Sequence, residues 1–161
     1  MNPMFAPWRM EFVEKFKPSD GCPLCRISSA QDEKEFQILG RGKLCFVVMN
    51  KFPYSNGHLM VIPNRHESDW TQLSQEESYE IADLTQKSLR AIKLALNPEG
   101  FNLGVNLGKA AGAGIEGHVH QHIVPRWLGD MNFMPLLAEV KMISEHLETT
   151  YGRIREAWVK V

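Results

Sequence analysis

The chain has 161 residues, 43% of them apolar and 23% charged, the balance of an ordinary soluble globular protein with enough material for a real core. Its formal net charge of -1 provides no overall attraction to nucleic acid or to an anionic membrane, so any anionic ligand must be gripped locally. No stretch approaches the roughly 18 apolar residues of a membrane span, the start lacks a secretory apolar segment, three cysteines make no disulfide framework, and the chain reads as cytoplasmic.

No internal repeat or long linker divides the sequence, which predicts one domain over residues 1–161. In chain order, the first feature is Cys22-Pro23-Leu24-Cys25, set after Ser19-Asp20-Gly21 in turn-forming sequence. By itself it admits half of a metal site, a redox pair, or coincidence. A redox pair wants a strand before it and a helix after it, and neither is evident. A structural zinc needs four ligands, so two would come from elsewhere.

Short strands are predicted at residues 37–39, 44–49 and 58–62, with Cys45 inside the second as a core residue. Pro53 and the pair Asn56-Gly57 mark the connection between the last two as a turn. A long helix follows. Ser74 and Glu77 form a capping-box pair, Ile81, Leu84, Ala91, Ala95 and Leu96 recur at helical spacing, and Asn97-Pro98 stops it. Residues 101–107 form another strand, and residues 145–159 a C-terminal helix interrupted at Gly152. Strands grouped around one long helix predict an α+β fold with an antiparallel sheet of about five strands.

Residues 108–117 read Gly-Lys-Ala-Ala-Gly-Ala-Gly-Ile-Glu-Gly, in which Gly112, Gly114 and Gly117 spell a literal G-x-G-x-x-G. A dinucleotide-binding motif opens a helix, whereas this one opens a strand, so that reading is rejected. A P-loop fails too, because Lys109 is followed by Ala110 rather than Ser or Thr. Either the small residues let backbone N–H groups approach an anion, with Asn106 and Lys109 adding donors, or the loop is a plain hairpin connection.

His118, His120 and His122 then alternate through an apolar run. On a strand all three project to one face, with Val119, Gln121 and Ile123 on the other, and Pro125 closes the run. A core has little use for three adjacent imidazoles. They could ligate a metal, or one neutral imidazole could attack phosphorus while another donates to the phosphoryl group.

The run His118-Val119-His120-Gln121-His122-Ile123-Val124 resembles the signature of the histidine triad (HIT) family of nucleotide hydrolases and transferases, in which the histidines alternate with apolar residues; Gln121 departs from it. The resemblance extends to Asn50, residues 57–63, His66, Asn106 and Gly108, and so covers residues 22–127. Residues 6–12 and 125–135 further resemble the bacterial branch that includes the diadenosine tetraphosphate phosphorylases.

What the resemblance implies is specific. The fold would be HIT-like, with a zinc-knuckle-like segment before the core and a helical tail after it. His120 would attack the α-phosphorus and form a nucleotidyl-histidine, oriented by the main-chain carbonyl of His118. His122 would bind phosphate oxygens and assist the leaving group. Asn50 falls where the family contacts ribose hydroxyls, and Asn106 with the amides of Gly108, Gly112 and Gly114 would hold the α-phosphate. His58 would be a hydrogen-bonding partner behind the site, or a plain buried histidine. Cys22, Cys25, His66 and His118 would hold a structural zinc, and no organic cofactor is implied.

The implied substrate is a dinucleoside polyphosphate, chiefly diadenosine tetraphosphate, cleaved by phosphorolysis or hydrolysis. The alternatives are a nucleoside phosphoramidase, a zinc-stabilised nucleotide-binding protein without catalysis, and a metallohydrolase with three histidines on one metal. A homodimer with its two sheets joined is implied, and neither nucleic acid nor membrane is an implied partner. Many members carry Gln four residues before the first histidine and Ser or Thr after that Gln. Here Gly114 and Ile115 stand there, so those donors must come from the backbone. Arg126 and Trp127 could meet a second nucleotide, with Trp127 equally at home in core or interface.

Overall fold

Five strands form one antiparallel sheet: β1 (Ile38–Arg41), β2 (Cys45–Met49), β3 (Leu59–Pro63), β4 (Gly100–Val105) and β5 (Gln121–Arg126), in the spatial order β1-β2-β3-β5-β4. Among the described residues three helices accompany it: α1 (Pro23–Ser28), α2 (Gln75–Leu96) and α3 (Leu147–Trp158). The computed structural model describes residues 21–130 and 143–161. Residues 6–12 and 131–135, which carry most of the resemblance to one bacterial branch, lie outside the described residues.

β2 and β3 are buried along their whole length because both faces of the sheet are covered. On one face Val47, Leu59, Val61 and Ile123 pack against Ile81, Ala91 and Ile92 of α2 and against Tyr151, Ile154 and Trp158 of α3. On the other, Phe46, Val48, Met60 and Ile62 pack with Leu24 of α1. The period of two along each strand produces this division. His122 stands opposite Met60, which stands opposite Val48, so the histidine belongs to the α1 face.

The capping box is complete: the Glu77 N–H donates to Ser74 Oγ at 3.1 Å, and the Ser74 N–H donates to Glu77 Oε2 at 2.8 Å. Asn97, left-handed at φ 48°, ends α2 as its Asn-Pro sequence predicts. The Glu80 carboxylate of α2 accepts the N–H groups of Lys43, Leu44 and Cys45, anchoring the β1–β2 turn to the helix.

Four local expectations need correction. A helix does follow the Cys-x-x-Cys pair: α1 starts at Pro23 with Cys22 at its N-cap, and its six residues are too few to show periodicity. β5 starts at Gln121, so His118 and His120 lie in the approach to the strand. Its partner β3 ends at Pro63, which has no N–H to extend the ladder and whose carbonyl accepts the His118 imidazole instead. Pro125 lies inside β5. The Arg126 carbonyl faces β4, where it accepts from the Glu99 N–H, so the Pro125 nitrogen faces the side on which β3 pairing has already stopped. Gly152 does not interrupt α3.

Candidate functional site

The alternating pattern separates the run into two faces. Gln121, the polar residue at an apolar position, donates from Nε2 to Thr85 Oγ1 on α2 at 2.7 Å, and Ile123 joins the core beside it. His118, His120 and His122 are all buried, on the opposite side.

Neighbouring groups fix which nitrogen of each ring carries the proton. A carbonyl only accepts, so His118 donates from Nε2 to the Pro63 carbonyl at 2.9 Å, and His120 donates from Nδ1 to the His118 carbonyl at 2.8 Å. A neutral His120 therefore keeps its lone pair on Nε2. Burial holds both imidazoles below their ordinary pKa, against the opposing effect of these hydrogen bonds, and so favours the neutral rings.

The third histidine is set by a relay. The Tyr54 backbone N–H donates to His58 Nδ1 at 3.0 Å, so a neutral His58 carries its proton on Nε2. That nitrogen lies 2.9 Å from His122 Nδ1, which must accept, and His122 then presents Nε2–H as a donor. The Tyr54 ring lies against both rings, 4.8 Å from His58 and 5.4 Å from His122 between centroids. His58 is fully buried and acts as the hydrogen-bonding partner.

His120 and His122 line a cleft of about 170 Å³. Leu24 and Ile27 of α1, Phe36, Val48 and Met60 make most of its wall apolar. Asn50 and Gly114 also line it; Asn106, Gly108 and Gly112 are not among its lining residues. Asn50 accepts the Phe52 N–H at 2.9 Å, which shapes the β2–β3 connection. Within the glycine loop, the N–H groups of Ala111 and Ala113 donate to the Gly108 carbonyl and that of Gly112 to the Lys109 carbonyl, so these amides are already engaged. Arg126 is held by Asp130 and Asn102, and neither it nor Trp127 lines the cleft. Sequence reasoning missed Phe36, whose ring is flanked by Arg26 at 5.9 Å and Lys51 at 5.5 Å, and the α1 wall. The apolar Pro23, Leu24 and Ile27 around Cys25 were the one available hint of the wall, and Phe36 had none.

Beside the cleft, ligand atoms of Cys22, Cys25, His66 and His118 lie within 4.8 Å of one another. Cys22 Sγ is 3.4 Å and Cys25 Sγ 3.5 Å from His118 Nδ1, and Cys25 Sγ is 3.3 Å from His66 Nδ1. The edge of a tetrahedron with zinc–sulfur about 2.3 Å and zinc–nitrogen about 2.0 Å is about 3.5 Å, so the donor set fits the ion. Because His118 spends its proton on Pro63, its Nδ1 faces the thiols bare, the tautomer a metal requires. Burial, reinforced by the neighbouring Cys22, raises the Cys25 thiol above its ordinary pKa, which a cation would reverse.

The two histidines of this cluster come from separate segments that are tied together. The Val119 N–H donates to the Glu67 carbonyl at 2.7 Å. Arg65 in turn grips the Glu77 carboxylate of α2 and holds it below the ordinary carboxylate range.

A HIT domain model matches residues 31–127. The chain is 38% identical over 165 residues to an AP-4-A phosphorylase from Mycobacterium tuberculosis, an alignment covering 98% of this chain and 84% of that protein. It is 34% identical over 105 residues to the adenosine 5'-monophosphoramidase hnt1 of Schizosaccharomyces pombe, covering 65% and 74%. Among solved structures, a zinc-bound histidine triad family protein from Mycobacterium smegmatis superposes with a TM-score of 0.71 at 26% identity, over 88% of this chain and 96% of that one.

Proposed function

The chain belongs to the HIT domain family, and from that premise we propose that it cleaves a dinucleoside polyphosphate at the α-phosphorus through a covalent nucleotidyl-histidine at His120. The observation that carries this reading is the proton assignment. His120 Nε2 holds a lone pair, and His122 Nε2–H is a donor beside it in the same apolar-walled cleft. A nucleobase and ribose would occupy the apolar part, with Asn50 at the ribose hydroxyls. Gly114, which lines the cleft, would contribute to the phosphate cradle, whereas Asn106, Gly108 and Gly112 lie outside the cleft lining.

In the first step the His120 nitrogen bonds to the α-phosphorus as the anhydride bond to the leaving nucleotide breaks. His122 donates to the phosphoryl or leaving oxygen. In the second step phosphate or water attacks the adduct and restores the imidazole. With diadenosine tetraphosphate, phosphorolysis gives ADP and ATP, and hydrolysis gives AMP and the complementary nucleotide. Likeness to an AP-4-A phosphorylase over nearly the whole chain supports this substrate. Likeness to a monophosphoramidase supports a second reading, the same attack on a P–N bond.

Cys22, Cys25, His66 and His118 would hold zinc, which supplies a structural cross-link there. A second copy would join at β4, the outer strand beside β5, whose Asn102, Leu103 and Gly104 are exposed. The test is product analysis with diadenosine tetraphosphate, with and without phosphate. ADP formed only when phosphate is present identifies phosphorolysis. His120→Ala is expected to abolish turnover while AMP still binds, and retained turnover in that variant rejects the mechanism.

A further inference from the structure

We propose that the Cys22–Cys25–His66–His118 centre is a positioning device for nucleotide binding: metal held there fixes both the outer wall of the cleft and the carbonyl that orients His120. The inference rests on the cleft being the nucleotide site.

The wall is α1. Pro23, Leu24, Arg26 and Ile27 all line the cleft, and all lie within the short helix that starts directly after Cys22. A helix of six residues has no stability of its own and takes its position from its attachments. At its C-terminal end, the Arg41 guanidinium donates to the carbonyls of Ile27, Ser28 and Ala30. In the middle, the Leu24 side chain is buried in the core of that face. At its N-terminal end there is no side-chain cap, and among the described residues the attachment is the contact of the two thiols with His66 and His118.

His118 joins this cluster to the chemistry. Its imidazole Nδ1 faces both thiols, its Nε2–H is spent on Pro63, and its own carbonyl receives His120 Nδ1–H. One residue therefore carries the metal centre on its side chain and the nucleophile's orientation on its backbone. Zinc–thiolate bonds on Cys22 and Cys25 hold the wall against His118, whereas neutral thiols hold it by weak S–H contacts alone. If the metal-free wall is in place about one-tenth of the time, nucleotide affinity falls about tenfold.

The experiment measures AMP affinity on the zinc-loaded protein and on the same protein stripped by a chelator, following amide hydrogen exchange in both. Binding about tenfold weaker in the stripped protein is expected, with faster exchange confined to residues 24–29 and unchanged exchange in α2. Equal affinity overturns the proposal. Loss of protection throughout α2 also overturns it, since the centre would then be a staple for the whole fold. Ile27→Ala in the zinc-loaded protein tests the wall separately. Several-fold weaker AMP binding with unchanged zinc content supports it, and unchanged affinity overturns it. A zinc-loaded wild-type protein that binds no AMP sinks the nucleotide reading along with the inference. That result differs from AMP binding that ignores the metal.

Discussion

A neutral imidazole offers one proton and one lone pair, and at each position of the row a neighbour decides which nitrogen carries which. His118 gives its proton to Pro63 and turns a bare nitrogen to the thiols. His120 gives its proton to His118 and turns a bare nitrogen to the cleft. His122 accepts from His58 and presents a donor. Three identical side chains thus acquire three different chemistries from three different partners. The most consequential partner is His58, fully buried behind the site. His58→Leu removes the donor to His122 Nδ1 and frees that ring to choose either tautomer. The expected result is a kcat lower by about 10²-fold, the scale of a lost proton donor, with AMP affinity little changed. Steady-state kinetics alongside an AMP titration checks it, and an unaltered kcat would refute the relay.

Elements meet at close quarters on the helix-covered face, where the sheet depends on small residues. Gly40 of β1 pairs with Val47, and a Cβ added to it would sit 2.5 Å from Trp158 Nε1 of α3. The neighbour is a buried ring, not a flexible chain end, so it has no easy way to yield. Gly40→Ala is expected to cost about 1–3 kcal/mol by overpacking, read as a lower midpoint in denaturant unfolding. An unchanged midpoint would mean that α3 shifts freely on the sheet. Gly57 makes a different demand: at φ +74° it turns the chain into β3 immediately before His58, which places that histidine behind the site. α2 supplies two further anchors, Thr85 for Gln121 and Glu77 for Arg65, so the helix steadies both the histidine run and the segment bearing His66.

For the whole molecule, the order β1-β2-β3-β5-β4 leaves β4 at one edge with Leu103 half-exposed. An outer strand of this kind is a template for pairing with another chain. Leu103→Lys places a charge on that strand and, if the proposed dimer forms there, is expected to leave monomers in sedimentation velocity at micromolar concentration. A dimer that survives the substitution would move the interface away from β4. Among the described residues no helix is long and apolar enough to cross a membrane.

Much of this was readable in the residue pattern, for local reasons. The period of two in residues 118–124 assigns the histidines to one face and Val119, Gln121 and Ile123 to the other; the capping box and the Asn-Pro stop delimit α2 without any tertiary information. The resemblance also drew together Cys22, Cys25, His66 and His118, which the fold brings within ligand distance of one another. Other features had no local signal. α1 is too short to be periodic, the ends of β5 depend on where β3 stops, and Phe36 reaches the cleft only because β1 lies beside β2. Proton positions on His118 and His122 were equally invisible, because each is set by a group distant in sequence, Pro63 for His118 and Tyr54, through His58, for His122; that of His120, set by the His118 carbonyl two residues upstream, was already implied by the resemblance. Sequence by itself determined which side chains share a face, since that follows from backbone geometry residue by residue. Only the tertiary structure decided what each imidazole can do, since a ring's tautomer belongs to the partner it meets.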